Sequence, residues 1–203
     1  MNVISNILYW ISTGLLVPVI VLLIFFFIRA LILIGGFMGQ YLQTKKTTDI
    51  LYKDIEKLSP QTLEQFEIKL AAQQPSAVKA FAEKIIANRG DSGKLDLMLA
   101  EYEIEADKNL STSKVLTKMG PILGLMGTLI PMGPALVGLS TGDIASMAYN
   151  MQVAFATTVV GLVVSAIGFL TQQVKQRWAV KNMTILEYLV DVVKQQASKS
   201  AQA

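Results

Sequence analysis

The sequence predicts an all-α membrane protein, with three transmembrane helices and long cytosolic helical extensions, from three observations. Its 203 residues are 52% hydrophobic and only 16% charged, which is more apolar than a soluble domain of this length. Three apolar segments, residues 7–38, 119–140 and 147–172, each hold the roughly 20 residues that a helix needs to cross a bilayer. The segments between and after them carry mixed charge with helical periodicity.

The first apolar segment, residues 7–38, is predicted to be a retained membrane anchor. Its apolar run is far longer than that of a signal peptide, and residues 1–12 hold no basic residue. Arg29 is its one charged residue. If the span is about residues 7–28, Arg29 lies at the inner boundary and reaches the lipid phosphates. If the span runs later, Arg29 is buried near the middle of the membrane and is a functional candidate.

The positions of the basic residues predict the orientation, because Lys and Arg near the ends of a span resist translocation. Of the 18 basic residues, 17 lie within residues 45–118 or 175–199, and the connector 141–146 holds none. We therefore expect an inner (cytoplasmic) cell membrane protein with an external N-terminus and a cytosolic C-terminus. Its four segments are the first transmembrane helix (1–42), a cytosolic helical segment (43–117), a pair of spans with a short external turn (118–174) and a cytosolic helical tail (175–203).

The cytosolic segment is predicted to begin with two short helices. Ser59-Pro60 is a typical helix start, with the hydroxyl as cap and the proline in the first helical position. The sequence QQPS then restarts the helix at Pro75, and the turn formers NRGDSG at residues 88–93 end it.

Two long amphipathic stripes follow and are expected to pack on each other. No glycine or proline intervenes between Leu95 and Gly120, so one helix is expected to continue from the cytosol into the second span. A similar stripe continues inward from the third span. The first stripe comprises Leu99, Tyr102, Ala106 and Leu110, and the second comprises Val174, Trp178, Ile185, Leu189 and Val192.

Composition argues against several kinds of function. The chain has no cysteine and no histidine, which excludes a thiol nucleophile, a Cys/His metal cage and a histidine relay. A net charge of +3 without a basic, aromatic stripe gives no reason to expect nucleic acid as a partner. We expect no enzymatic activity, no metal site and no cofactor, since there is no phosphate loop and the acidic run has a spacing of two, which scatters carboxylates around a helix. That run is Glu101, Glu103, Glu105 and Asp107.

The second span is built from residues that break helices, and these residues form a stripe. Residues 120–139 read GPILGLMGTLIPMGPALVGL. Positions spaced alternately by four and three residues share one face of a helix, and small faces allow the close backbone approach on which helix association in lipid depends. Packing between helices of one subunit, or approach of a partner helix, would explain both stripes. They are Gly120, Gly124, Gly127, Pro131, Pro134 and Gly138 in the second span, and Ala154, Thr158, Gly161, Ser165 and Gly168 in the third.

Polar groups within the two inner spans are few. Proline frees a backbone carbonyl, so Pro131 and Pro134 predict a kinked, hydrated helix. Neither span contains Asp, Glu, Lys, Arg or His, although an intramembrane relay is normally built around an ionisable group. If ions cross here, the carboxylate must come from another chain. A lone threonine usually bonds its own preceding carbonyl, but together the hydroxyls could line a narrow path: Thr128, Thr157, Thr158 and Ser165.

The motif GPILGLMGTL, followed after a short turn by AFATTVVGLVVSAIG, resembles the paired inner helices of the MotA/TolQ/ExbB proton channel family. The three-span order is similar to the TolQ/ExbB arrangement rather than to the flagellar MotA branch, whose members have four spans. The resemblance implies a homo-oligomer, a pentamer, around two copies of an ExbD/TolR/MotB-like single-span partner that carries an essential aspartate, all embedded in membrane lipid. It implies an ion-conducting subunit of a motor, which couples the flow of H⁺ or Na⁺ to mechanical work.

The resemblance also implies roles for individual residues. By position, Thr128 and Thr158 match the two channel threonines of the family, and Pro121 resembles a proline at the start of the equivalent MotA helix. Thr157 stands where members often have alanine, so which neighbouring hydroxyl acts is open. The ion-pathway candidates are Thr128, Thr158, Thr157 and Ser165, and the helix-packing or pore-lining candidates are Gly120, Pro121, Gly124, Gly127, Pro131, Pro134, Gly161 and Gly168. Pro131 and Pro134 depart from the family pattern, which leaves the pore shape and the cation open.

Two other functions remain alternatives. A passive membrane scaffold, which clusters partners through its cytosolic helices without conducting ions, would use the same small faces. A small secondary transporter would place its site between broken helices of two related halves, but the first span has no broken counterpart and the chain shows no internal repeat.

Overall fold

The computed structural model describes residues 2–56, 58–59, 61–73 and 75–200, and every regular element in these ranges is an α-helix. The all-α prediction is therefore confirmed. The helices are α1 (Asn2–Gly14), α2 (Leu16–Glu56), α3 (Leu63–Ala72), α4 (Ala77–Ala87), α5 (Ser92–Thr141) and α6 (Ile144–Ser200).

Three helical stretches are long and apolar enough to cross a membrane, as many as the sequence predicts. They are Ile7–Tyr41, Ser92–Thr141 and Ile144–Ser198. The first stretch is interrupted, because α1 ends at Gly14 and α2 begins at Leu16. The interruption follows from Pro18, which has no amide hydrogen to donate to the Gly14 carbonyl. At the same point the amide of Leu15 lies 3.1 Å from the carbonyl oxygens of both Ile11 and Ser12. Arg29 lies within α2 with an exposed side chain, and its depth in the bilayer stays a prediction.

The chain forms two compact units. The membrane unit comprises Met1–Gly36 and Ser111–Gln172, and the polar unit comprises Phe37–Leu110 and Gln173–Ala203. In the membrane unit, Val19 and Leu23 of α2 pack with Leu123 and Ile130 of α5. A second cluster joins all three spanning helices through Ala30, Leu116 and Val164.

The polar unit has a continuous apolar core. The core joins residues of α3 and α4 to the two amphipathic stripes, and Leu63, Ile85, Leu95 and Leu189 are fully buried within it. The expectation that the stripes of α5 and α6 pack together is thus confirmed, with α3 and α4 completing the core. The acidic run, Glu101 to Asp107, has its carboxylates on the exposed surface.

The boundaries of the short helices differ from the sequence expectation at one end. The helix does not begin at Ser59: that residue forms a turn with Thr62, in which each amide bonds an oxygen of the other residue at 3.0 Å, and α3 begins at Leu63. Pro60 lies outside the described residues. The α4 helix begins at Ala77 and not at the predicted Pro75, because Ser76 is its cap and accepts from the amide of Lys79 at 3.2 Å. It ends at the predicted turn with Asn88 as C-cap.

Candidate ion pathway in the membrane unit

The helices α5 and α6 form an antiparallel hairpin closed by a tight turn. Gly142 adopts a φ of +76°, a left-handed conformation that favours glycine, and the amide of Asp143 bonds the Gly138 carbonyl at 2.8 Å. The Asp143 carboxylate then accepts from the amide of Ser146 at 3.0 Å and caps the start of α6. The turn thereby fixes the register in which the two small-residue stripes meet.

The two stripes pack against each other within one chain. A Cβ atom added at Gly120 would lie 2.6 Å from the Gly161 carbonyl oxygen, and one added at Gly161 would lie 2.9 Å from Gly124 Cα. These contacts join backbone to backbone, so no larger residue fits without separating the helices. Of the two explanations for the stripes, packing inside one subunit is the one that the structure shows for these glycines.

Thr157 belongs to this packed interface. Its side chain is buried and fills the notch over Gly127, where an added Cβ would lie 2.5 Å from Thr157 Oγ1. The hydroxyl lies within hydrogen-bond distance of two carbonyls of its own helix, Val153 at 3.1 Å and Ala154 at 2.9 Å. Further along the hairpin, a Cβ at Gly168 would lie 2.6 Å from the Thr117 amide nitrogen.

Ser165 supplies a hydrogen-bond donor to a backbone carbonyl that Pro121 leaves without one. A proline has no amide hydrogen, so Pro121 leaves the carbonyl of Thr117, four residues earlier, without its helical donor. The Ser165 hydroxyl donates to that carbonyl oxygen across the helix interface at 3.0 Å. Sequence reasoning singled out both residues without connecting them, although the four-residue offset from Pro121 already identified the carbonyl in need of a donor.

A second polar contact between α5 and α6 was missed from sequence. Thr171 Oγ1 lies 3.2 Å from Ser113 Oγ and 2.8 Å from the Ile167 carbonyl oxygen, and both hydroxyls are buried. The available signal was weak, because a single serine just before one span and a single threonine at the end of the next are ordinary in composition. Their pairing depends on the hairpin register.

Thr128 and Thr158 lie at the edge of the interface, with half-buried side chains. Each hydroxyl donates to a carbonyl of its own helix, Thr128 to Leu125 at 2.7 Å and Thr158 to Ala154 at 3.1 Å. A Cβ at Gly124 would lie 3.5 Å from Thr158 Cα, and Thr128 follows Gly124 by four residues, so the two threonines are offset along the hairpin by about one helical turn, roughly 6 Å. Since their protons are engaged, each oxygen offers its remaining lone pairs as an acceptor.

The remaining prolines lie inside a continuous helix. Pro121, Pro131 and Pro134 all fall within α5, which runs from Ser92 to Thr141. Pro131 is buried and Pro134 is half-buried, and they remove the regular amide donors of the Gly127 and Ile130 carbonyls. These two carbonyls, which lack their helical donors, belong to residues within two positions of Thr128 in the sequence. The kink and the hydration expected here stay predictions.

Similarity to known proteins agrees with this architecture. A family model described as the MotA/TolQ/ExbB proton channel family matches residues 71–187, which include α4, the whole hairpin turn and both inner spans. No individual curated protein matches the chain. Because the matched region is more than half of the 203 residues, the membrane-spanning chain described above is a member of the MotA/TolQ/ExbB proton channel family.

Proposed function

We propose that this chain is the ion-conducting subunit of a membrane motor, in which cation flow drives mechanical work. The observation that carries the proposal is the pair of half-buried threonines, Thr128 and Thr158, about one helical turn apart along a hairpin whose two apolar spans, 119–140 and 147–172, hold no carboxylate. Membership in a proton channel family supports H⁺ as the cation, with Na⁺ as the alternative to be tested.

Because neither inner span holds an Asp or Glu, the proposed partner has to supply the carboxylate. Members of the family work with ExbD/TolR/MotB-type proteins, and the proposed assembly is a homopentamer around two copies of such a single-span protein. The partner's aspartate takes up the ion and is met by the hydroxyl oxygens of Thr128 and Thr158. One charge that falls through 100 mV yields about 2.3 kcal/mol, so several ions must pass for a large mechanical stroke.

The four candidate hydroxyls then divide into two roles. We assign Thr128 and Thr158 to the pathway, because both residues are only half-buried and lie at the edge of the hairpin interface. Thr157 and Ser165 shape the hairpin, since one fills the notch over Gly127 and the other bonds the Thr117 carbonyl. The protein performs no covalent chemistry and uses no cofactor in this proposal, and the ion is its cargo.

The proposed orientation places the N-terminus outside and the polar unit in the cytosol of a cell with an inner membrane. It rests on the distribution of basic residues, which are absent from the connector 141–146 and abundant in the polar unit. Cysteines introduced singly at Ser140 and at Ser92, in this cysteine-free chain, test it by labelling with an impermeant maleimide in intact cells. Labelling at Ser140 alone is expected, and labelling at Ser92 alone would reverse the orientation.

The decisive experiment co-expresses the chain with its candidate single-span partner and measures stoichiometry and ion flux. Native mass spectrometry of the gently extracted complex is expected to give five copies to two, and flux in proteoliposomes is expected to disappear when the partner's aspartate becomes asparagine. Flux under a Na⁺ gradient and under an H⁺ gradient identifies the cation. A homo-oligomer that binds no such partner and conducts neither ion would favour the passive scaffold.

Variants of this chain then separate the pathway from its surroundings. Thr128→Val and Thr158→Val keep the side-chain shape and remove the hydroxyl, and each is expected to lower flux at least tenfold with normal assembly. Thr141→Val is the matched control, because its hydroxyl also bonds a carbonyl of its own helix, at 3.1 Å, but lies next to the turn. Full flux in the Thr128→Val, Thr158→Val double variant would remove the hydroxyls from the mechanism.

A further inference from the structure

The polar unit contains a groove of about 380 Å³ between α5 and α6. The apolar part of its lining includes Ala106, Leu110, Ala179 and Met183. Val180, which also lines the groove, is 62% exposed, so apolar surface is open to an occupant. The volume is within the usual range of binding sites, and the ion pathway proposed above does not use this groove.

The groove also carries negative charge. Glu103 and Asp107 line it from α5, and Glu187 lines it from α6. Glu103 and Glu187 are exposed, and neither forms an ion pair with a lysine or arginine in the part of the chain that the structure describes. No lysine or arginine stands three or four residues from either glutamate, so neither has a cation one helical turn away. A cationic occupant would therefore find two carboxylates without a competing ion pair.

The groove lies at the end of the polar unit that continues, along α5 and α6, into the membrane unit. Leu110 is the last residue of the polar unit on α5. Gln176, which also lines the groove, is the fourth residue after the membrane unit ends at Gln172, about 6 Å further along α6. A segment attached to a neighbouring membrane span needs only a short connection to reach the groove.

An apolar groove with carboxylates fits a segment rich in lysine or arginine. These side chains have apolar stems that can cover the apolar lining while their charged ends reach the carboxylates. Membrane proteins carry such residues within about 15–20 residues of the cytosolic end of a span, which we call the cytosolic flank. The same rule assigns the polar unit to the cytosol, so the groove and a partner's cytosolic flank are expected on the same side of the membrane.

We propose that this groove binds the basic cytosolic flank of the single-span partner, with lysine or arginine side chains paired to Glu103 and Glu187. This inference rests on the proposed function, because its occupant is the partner of the ion-conducting assembly. The contact is separate from the one between the partner's aspartate and the two threonines, Thr128 and Thr158. It selects the partner by charge and takes no part in ion conduction.

Photo-crosslinking in the co-expressed assembly identifies the occupant. Val180 is replaced by p-benzoylphenylalanine in the full chain, the complex with the candidate partner is irradiated, and crosslinked peptides are sequenced by mass spectrometry. The crosslink is expected in a lysine- or arginine-containing peptide within about 20 residues of the partner's span. The same replacement at Ile104 is the matched control, because Ile104 is 69% exposed on α5 but does not line the groove. It should give at least about tenfold less of this crosslink.

A binding measurement tests the role of charge. A fluorescein-labelled peptide of the candidate partner's cytosolic flank is titrated against the full chain in phosphatidylcholine nanodiscs, and anisotropy gives Kd. The Glu103→Gln, Glu187→Gln variant is expected to raise Kd about tenfold, because two ion pairs are lost. The Glu101→Gln, Glu105→Gln variant makes the same change of charge on exposed carboxylates of α5 outside the groove, and it should change Kd less than about twofold.

Charge reversal gives a rescue that a merely structural role would not produce. The Glu103→Lys, Glu187→Lys variant should lose the basic peptide and bind a version of the peptide in which glutamate replaces every lysine and arginine. An equal Kd for wild type, groove variant and control variant would overturn the proposal. Crosslinks from position 180 to a second copy of this chain would also overturn it and make the groove a contact between subunits. A complex that conducts ions but gives no crosslink to the partner would reject the groove and leave the proposed function standing, whereas failure to form any complex would reject both.

Discussion

Replacement of Gly161 by alanine is expected to destabilise the α5/α6 hairpin, because the added methyl group meets backbone atoms. A Cβ there would lie 2.6 Å from the Gly120 carbonyl oxygen, 2.9 Å from Gly124 Cα and 3.1 Å from the Gly124 amide nitrogen. A side chain in such a position could rotate away, whereas backbone atoms of a helix cannot. The two helices therefore have to move apart.

The size of the effect follows from that movement. Ordinary van der Waals contact begins at 3.4 Å, so the Gly120 carbonyl oxygen has to retreat by about 0.8 Å. Overpacking of a close-packed interface costs about 1–3 kcal/mol, and the better helix propensity of alanine offsets up to about 1 kcal/mol. We expect the free energy of unfolding to fall by about 1–2 kcal/mol.

The assay needs a control that shares the gain in helix propensity. Gly36→Ala provides it, because Gly36 lies inside α2 and no atom lies within 4 Å of its added Cβ. Reversible unfolding of both variants in mixed micelles, followed by circular dichroism, gives the difference directly. Equal stability of Gly161→Ala and Gly36→Ala would refute the conclusion that the small faces form an intrachain interface.

Three further predictions test particular contacts. Ser165→Ala is expected to lower the free energy of unfolding by about 1–2 kcal/mol, because it leaves the Thr117 carbonyl unsatisfied. Pro121→Ala in the same chain should recover most of that loss, because alanine supplies the missing amide hydrogen. An unchanged loss in the double variant would contradict the pairing of Pro121 with Ser165. Gly142→Ala should lower the free energy of unfolding by about 1 kcal/mol, since φ is +76° there. Chemical denaturation that shows no loss of stability would contradict the expected strain at this position. Burial lowers the pKa of Lys175, so the folded chain binds fewer protons than the unfolded chain as pH passes between the two pKa values, and stability rises with pH through that window. Lys175→Met in phosphatidylcholine should flatten this rise and increase stability at pH values below the two pKa values. A pH profile of stability identical to that of the wild type would contradict a lowered pKa of Lys175.

Local patterns in the sequence predict the helices well, because each pattern reports on a single helix. Apolar length identifies the spans, and alternating spacings of four and three identify the small faces. The start of α3 shows the limit of such signals. Ser59 has the right chemistry for a cap, but it is used in a turn with Thr62, and the buried side chain of Leu63 marks the actual first turn of the helix.

Contacts between helices could not be derived, because they depend on a register that no local pattern fixes. Ser165 could have faced a pore or bonded its own helix, and the structure instead directs it to the carbonyl that Pro121 leaves free. Thr157 and Thr158 are neighbours with the same side chain, but successive residues of a helix point in different directions. Thr157 is therefore buried against Gly127, whereas Thr158 lies at the edge of the interface. The break after Gly14 likewise depends on Pro18, whose effect on a carbonyl four residues earlier was not considered.

The use of the small faces inside one chain changes how a partner helix can approach. The glycines are covered, so a partner cannot reach the backbone through them and must contact the outer faces of the hairpin. Next to Thr128 and Thr158 those faces are apolar and open: Leu125, Phe155 and Leu162 are each more than half exposed. A carboxylate that reaches Thr128 or Thr158 is therefore transferred from water into an apolar setting, where desolvation favours its neutral, protonated form. The hydroxyl oxygens then accept from that proton while their own protons stay on helix carbonyls. Under the proposed function, the hairpin contributes to proton transfer by withholding water and offering acceptors, and it needs no ionisable group of its own.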